Sequence, residues 1–122
     1  MPSKICLPGI PNFFPDAFVY KSVPILDIPE CRIKSHFQAC FDFIKEALGT
    51  QSGRVLVHCN AGISRSGTVV IAYIMKTRYL SLQEASGLVQ TKRPKVRPND
   101  GFSAQLKEFE KDLEEESGGD VT

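Results

Sequence analysis

The chain has 122 residues, 42% of them hydrophobic and 24% charged, with a formal net charge of +1 at pH 7. That size fits one soluble globular domain with a modest core and excludes a second. No segment approaches the roughly 18 consecutive apolar residues of a membrane span, and the opening Met-Pro-Ser-Lys-Ile-Cys-Leu-Pro-Gly lacks the apolar core of a secretory signal. A cytosolic protein is expected, with the nucleus also open. Cys6, Cys31, Cys40 and Cys59 form no Cys-x-x-Cys pair and have no partnering His spacing, so neither a zinc site nor a disulfide framework is indicated.

In chain order, residues 1–17 hold Pro2, Pro8, Pro11, Pro15 and Gly9, and are expected to be irregular beyond a few residues around Ile5 to Leu7. Residues 18–115 read as the folded domain and 116–122 as a flexible tail, with fraying expected from Leu113. Phe18 to Leu26, rich in Val, Ile and aromatic residues, reads as a strand with Pro24 near its edge or end. From Ile33 to Leu48 the apolar positions Ile33, Phe37, Cys40, Phe41, Ile44 and Leu48 predict an amphipathic helix, with Gly49 after it. A second strand follows at 54–58, so this is a β-α-β unit with parallel strands. Ser81-Leu82-Gln83-Glu84 is a capping box opening a short helix with Ala85, Leu88 and Val89 inward, and Pro94 closes it. Pro98-Asn99-Asp100-Gly101 opens a last helix striped by Phe102, Leu106, Phe109 and Leu113.

The organising stretch is Gly53 to Tyr79. Val55, Leu56 and Val57 favour a strand, Cys59 to Arg65 is a small polar loop, and the apolar run after Ser66 suits a buried helix. A loop feeding a helix N-terminus offers backbone N–H groups and a positive dipole end to a dianion such as phosphate. Cys59 stands at its entrance. The same helix end and a nearby Arg lower a thiol pKa from its usual value of about 8.5, so Cys59 is expected to be largely anionic. Arg65 can fold over the loop and give two parallel N–H bonds to phosphate oxygens, which Lys cannot. Ser66 places a hydroxyl near the sulfur. A lone Cys at a strand end is ordinarily a small buried hydrophobe, and the spacing of its neighbours is what argues otherwise.

His58-Cys59, five residues, then Arg65-Ser66 matches the His-Cys-x5-Arg-Ser/Thr signature of the protein tyrosine phosphatase superfamily. With Leu26-Asp27-Ile28-Pro29-Glu30, Ile71-Ala72-Tyr73-Ile74-Met75 and Pro98-Asn99-Asp100-Gly101-Phe102, the chain resembles the atypical dual-specificity phosphatases over about residues 18 to 113. The resemblance implies an α/β fold like that of phosphotyrosine protein phosphatases, a small mostly parallel sheet packed by helices, with some of the family's N-terminal strands missing. It implies a metal-independent, cofactor-free protein phosphatase acting on phosphotyrosine and phosphoserine or phosphothreonine through a phosphocysteine at Cys59. Asn60, Ala61, Gly62, Ile63 and Ser64 would then bind phosphate through backbone N–H groups together with Arg65, and Ser66 would stabilise the departing thiolate. The neutral loop favours phosphoproteins, signalling kinases among the candidates, over an inositol lipid or an RNA 5′ end. Neither nucleic acid nor a membrane is an expected partner.

The leaving oxygen needs a proton. Asp27, just past the first strand, should share with Cys59 the crevice beyond the carboxyl ends of parallel strands, and it matches the family's general-acid loop. Taken alone, an Asp there would be a turn former or a cap. Asp100 is the rival carboxylate, with helix capping as its expected role. By resemblance Asn99 supports the phosphate loop and His58 tunes the thiol, while His36 reads as solvated surface. Lys92, Arg93, Lys95 and Arg97 either receive acidic substrate flanks or form a solvated charge run. A phospho-binding scaffold without turnover is the alternative function, and a rhodanese-like or arsenate-reductase-like thiol enzyme a third.

Overall fold

The computed structural model describes residues 3–6, 19–22, 28–49, 55–58 and 64–118. Three four-residue strands, β1 (Ser3–Cys6), β2 (Val19–Ser22) and β3 (Val55–His58), form a parallel sheet in the order β2-β1-β3. The register runs from Ser3 opposite Val19 and Val55 to Cys6 opposite Ser22 and His58, so the carboxyl ends of all three strands stand level.

The central strand lies in the segment expected to be irregular apart from a few residues around Ile5 to Leu7, and it overlaps that exception at Ile5 and Cys6. Pro2 and Pro8 stand on either side of Ser3–Cys6 without entering it, and the four residues of the strand keep every N–H for the ladder. The two strands of the expected β-α-β unit are parallel, and each pairs with β1, so the connection from β2 to β3 passes over a strand. Of the strand expected over 18–26, residues 18 and 23–26 lie outside the described residues.

The helix expected from Ile33 begins as a 3-10 turn, Ile33–His36, and continues as α1, Phe37–Leu48. Ile33, Phe37, Cys40, Phe41 and Ile44 are buried as the periodicity requires, whereas Leu48 at the helix end is 47% exposed. Helix α2 (Arg65–Arg78) is buried along Val69, Ile71, Ala72 and Met75, and ends at Tyr79 in the left-handed conformation with φ 56°. Helix α3 (Leu82–Lys92) buries Ala85 and Val89 but turns Leu88, expected inward, to solvent.

Helix α4 (Asp100–Gly118) buries Phe102 and Leu106 and lays Phe109 and Leu113 against the core. It runs beyond the point where fraying was expected and takes in part of the expected tail, because Leu113 still has a core to cover and Glu is a good helix former. Its last turn has no basic residue, and Glu114, Glu115 and Glu116 are exposed. The rings of Phe37, Phe41 and Phe109 meet at centroid distances of 5.1 to 5.8 Å and lock α1 to α4, while Tyr73 edges onto Phe41 from α2 at 5.7 Å. Fully burying a Phe side chain stabilises the fold by about 1.5 to 3 kcal/mol, so this three-helix seam is a main source of its rigidity. Among the described residues no helix is long and apolar enough to cross a membrane.

The capping box at the start of α3 is formed in full. Ser81 Oγ accepts from Glu84 N–H at 3.1 Å, and Glu84 Oε1 accepts from Ser81 N–H at 3.1 Å. Hydrogen bonding to the Glu84 carboxyl, first from the Ser81 backbone N–H and then from the Ser81 hydroxyl, holds it below its ordinary value of 4.5. A lowered folded-state pKa contributes stability above the unfolded value and loses it as pH falls through the folded one. Ser81→Ala, which removes the N-cap acceptor of Glu84 N–H, should cost about 1 kcal/mol in denaturant unfolding. The melting difference between wild type and Glu84→Gln should shrink as pH is lowered below 4.5.

Candidate active site

In parallel sheets ligands bind beyond the carboxyl ends of the strands. His58 closes β3 at that end, opposite Cys6, and Cys59 is the next residue. Asp27 and Cys59, Asn60, Ala61, Gly62 and Ile63 lie outside the described residues, so the described part of the site starts at Ser64.

Ser64 precedes α2 in the N-cap position, yet its hydroxyl makes no capping bond. Its Oγ instead accepts the backbone N–H of Asn99 at 3.0 Å. Its carbonyl oxygen accepts two donors from one residue, Thr68 N–H at 2.9 Å and Thr68 Oγ1 at 2.6 Å. Ser64 is 5% exposed and Thr68 fully buried. Unmet polar groups there would cost about 1 to 3 kcal/mol each, so these bonds fix how the chain enters α2.

Arg65 and Ser66 follow at the first two positions of α2, 7% and 5% exposed. A guanidinium is expensive to bury and does so only against partners that match its charge and donors. The first turn of α2 contains no acidic residue. The positive end of the helix, worth roughly half an elementary charge, is therefore uncompensated by a carboxylate of its own first turn and is suited to an external anion.

Gly67 is required by packing. A Cβ placed on it would stand 2.5 Å from Val96 Cγ1, inside any real carbon contact. Val96 is 4% exposed, while Lys92, Arg93, Lys95 and Arg97 around it are exposed. The basic cluster is thus a solvated rim pinned to the start of α2 by its single apolar member.

Asn99 is the cap of α4. Its Oδ1 accepts Phe102 N–H at 2.8 Å and its carbonyl accepts Ser103 N–H at 2.8 Å. Capping had been assigned to Asp100, but the cap falls one residue earlier, and Asp100 is exposed in the first helical turn, where its charge only complements the dipole. The structure therefore brings Ser64, Arg65, Ser66 and Asn99 together. Thr68 and Val96 were missed by sequence reasoning. A Thr four residues after a loop Ser is a signal for back-bonding to the i−4 carbonyl, and a single apolar residue inside a basic run is a signal for an anchor. Among the described residues no group of three or more His, Cys, Asp or Glu could hold a metal ion.

Residues 11–112 match the family model described as "Dual specificity phosphatase, catalytic domain". Dual specificity protein phosphatase 19 of Mus musculus is 43% identical over 112 residues, covering 92% of this chain and 50% of the mouse protein, so the chain spans half of that relative's length. Human tyrosine phosphatase-like serine/threonine/tyrosine-interacting protein superposes with a TM-score of 0.81 at 40% identity, covering 88% of this chain and 75% of the other. A mouse protein solved in complex with zinc tungstate superposes with a TM-score of 0.86 at 30% identity, covering 94% and 72%.

The contact between Gly67 and Val96 can be tested without an assay of activity. Gly67→Ala should lower unfolding free energy by about 1 to 3 kcal/mol through overpacking. Combined with Val96→Ala it should cost less than the two single changes added together, with a coupling of at least about 1 kcal/mol in denaturant titrations.

Proposed function

The chain belongs to the dual specificity phosphatase catalytic-domain family, and from that premise we propose that it is a metal-independent phosphatase hydrolysing phosphotyrosine and phosphoserine or phosphothreonine in proteins. The observation that carries the reading is the burial of Arg65 and Ser66 at the acid-free start of α2, six residues after Cys59 in the family's His-Cys-x5-Arg-Ser order. The tungstate named for the mouse neighbour is a tetrahedral oxyanion of phosphate shape, which accords with an oxyanion-binding loop.

In this reading the Cys59 thiolate attacks phosphorus. The P–O bond to the substrate breaks as the P–S bond forms, and Asp27 donates its proton to the leaving oxygen. Arg65 holds two of the phosphoryl oxygens with parallel N–H bonds, and the backbone N–H groups of Asn60, Ala61, Gly62, Ile63 and Ser64 receive the charge that spreads over the equatorial oxygens. Water then attacks the phosphocysteine while Asp27 takes its proton. Inorganic phosphate leaves, and the sulfur departs as a thiolate stabilised by the Ser66 hydroxyl. The Ser64–Asn99 bond keeps the end of the loop in place throughout, so that no reorganisation is needed when charge develops.

The purified chain should hydrolyse an aryl phosphate in the presence of EDTA and be inhibited by vanadate. Cys59→Ser should abolish turnover, Arg65→Lys should lower kcat by about 10²- to 10³-fold, and Asp27→Asn by about 10²- to 10⁴-fold. A folded wild-type chain that captures a phosphopeptide but forms no phosphocysteine would instead select the scaffold function.

A further inference from the structure

Helix α4 does more than cap itself beside Ser64. Its first two turns also grip the segment that follows Asp27. Ile28 and Cys31 close a turn around Pro29, the Cys31 N–H donating to the Ile28 carbonyl at 3.1 Å. Gly101, in the first turn of α4, lies directly against that turn. A Cβ on Gly101 would stand 2.5 Å from Pro29 Cα and 2.6 Å from the Pro29 carbonyl carbon, and would overlap the Pro29 oxygen. All three are backbone atoms and cannot rotate aside. One helical turn on, Gln105 is 3% exposed, and its side-chain amide is used at both ends: Nε2 donates to the Cys31 carbonyl at 2.8 Å, and Oε1 accepts the Lys34 N–H at 3.0 Å. On the surface of the same helix Lys34 pairs with Asp112 at 2.6 Å and Arg32 with Glu108 at 3.6 Å.

We propose that Gly101 and Gln105 are positioning residues for proton transfer, holding the chain that leaves Asp27 at a fixed distance from the loop that Asn99 holds through Ser64. The proposal rests on the phosphatase reading with Asp27 as the acid, and deepens it by naming what sets the acid's distance from the nucleophile. The first two turns of a rigid helix act as a spacer. Asn99 fixes the phosphate-loop side, Gly101 sets how closely the turn at Pro29 approaches, and Gln105 sets its orientation through two bonds in one plane. The effective acid must lie within hydrogen-bond reach of the leaving oxygen, and a displacement of about an ångström at such a group costs on the order of 10²-fold in rate. The exposed ion pairs contribute little, since both are more than a quarter exposed and solvent-screened.

A positioning role and a merely structural one separate by leaving group. Phenyl phosphate needs a proton on its departing oxygen, whereas 2,4-dinitrophenyl phosphate departs without one. Loss of folded protein scales both rates alike and cancels in their ratio. Gln105→Leu should lower kcat/KM for phenyl phosphate by roughly tenfold or more, with less than about a twofold change for 2,4-dinitrophenyl phosphate and an unchanged vanadate inhibition constant. Gly101→Ala should change the ratio in the same direction. A ratio equal to that of wild type in both variants would overturn the proposal. Wild type that hydrolyses neither ester would overturn the underlying phosphatase reading instead, and Asp27→Asn that leaves the ratio unchanged would overturn Asp27 as its acid.

Discussion

A single partly buried hydrogen bond, Asn99 N–H to Ser64 Oγ at 3.0 Å, joins two segments 35 residues apart in the chain and fixes how the chain enters α2. Ser64 has no freedom left: Asn99 takes its hydroxyl oxygen and Thr68 its carbonyl. With that residue fixed, Arg65 and Ser66 enter α2 at defined positions. A net worth near 1 kcal/mol understates such a bond, because leaving either partner unmet in this buried place costs more than making the bond gains.

The four residues Pro98-Asn99-Asp100-Gly101 are ordinary helix-opening chemistry by composition, and the structure gives at least two of them a second task. Asn99 caps α4 with its side chain while its backbone reaches Ser64. Gly101 costs the helix about 1 kcal/mol relative to Ala, which the fold accepts for the close approach to Pro29 that any side chain would prevent. The aromatic seam of Phe37, Phe41 and Phe109 then holds the body of α4 against α1, so that the helix is stiff where the site needs it.

The helices were legible in the sequence because their signals are local. The spacing of Ile33, Phe37, Cys40, Phe41 and Ile44 reports a buried face, and Ser81 with Glu84 reports a cap. The strand Ser3–Cys6 was legible only as a few residues around Ile5 to Leu7, and its place at the centre of the sheet was not legible. It is four residues long, sits among prolines, and is specified by two neighbours far along the chain that no local window contains. Cys59, Arg65 and Asp27 stood out as a motif, and of these the structure describes Arg65, which begins α2 together with Ser66. The supporting residues were harder. Gln105 lies on an otherwise apolar stripe and reads as an interruption, and its purpose appears only when Cys31 and Lys34 are brought beside it across more than 70 residues of chain. Leu48 and Leu88 fit the apolar period but fall where no partner element covers them.

Helix α4 is therefore unequal from end to end. Its amino end is capped, packed and tied into the site, while its carboxyl end collects Glu114, Glu115 and Glu116 with no basic residue in the last turn. Anionic side chains beside the negative pole of a helix repel both that pole and one another. Dissolved cations relieve such repulsion within a Debye length of about 8 to 10 Å at ordinary ionic strength. Brine should thus firm the distal turns of this helix while leaving its amino end nearly indifferent to salt, a polarity of response written into one continuous rod.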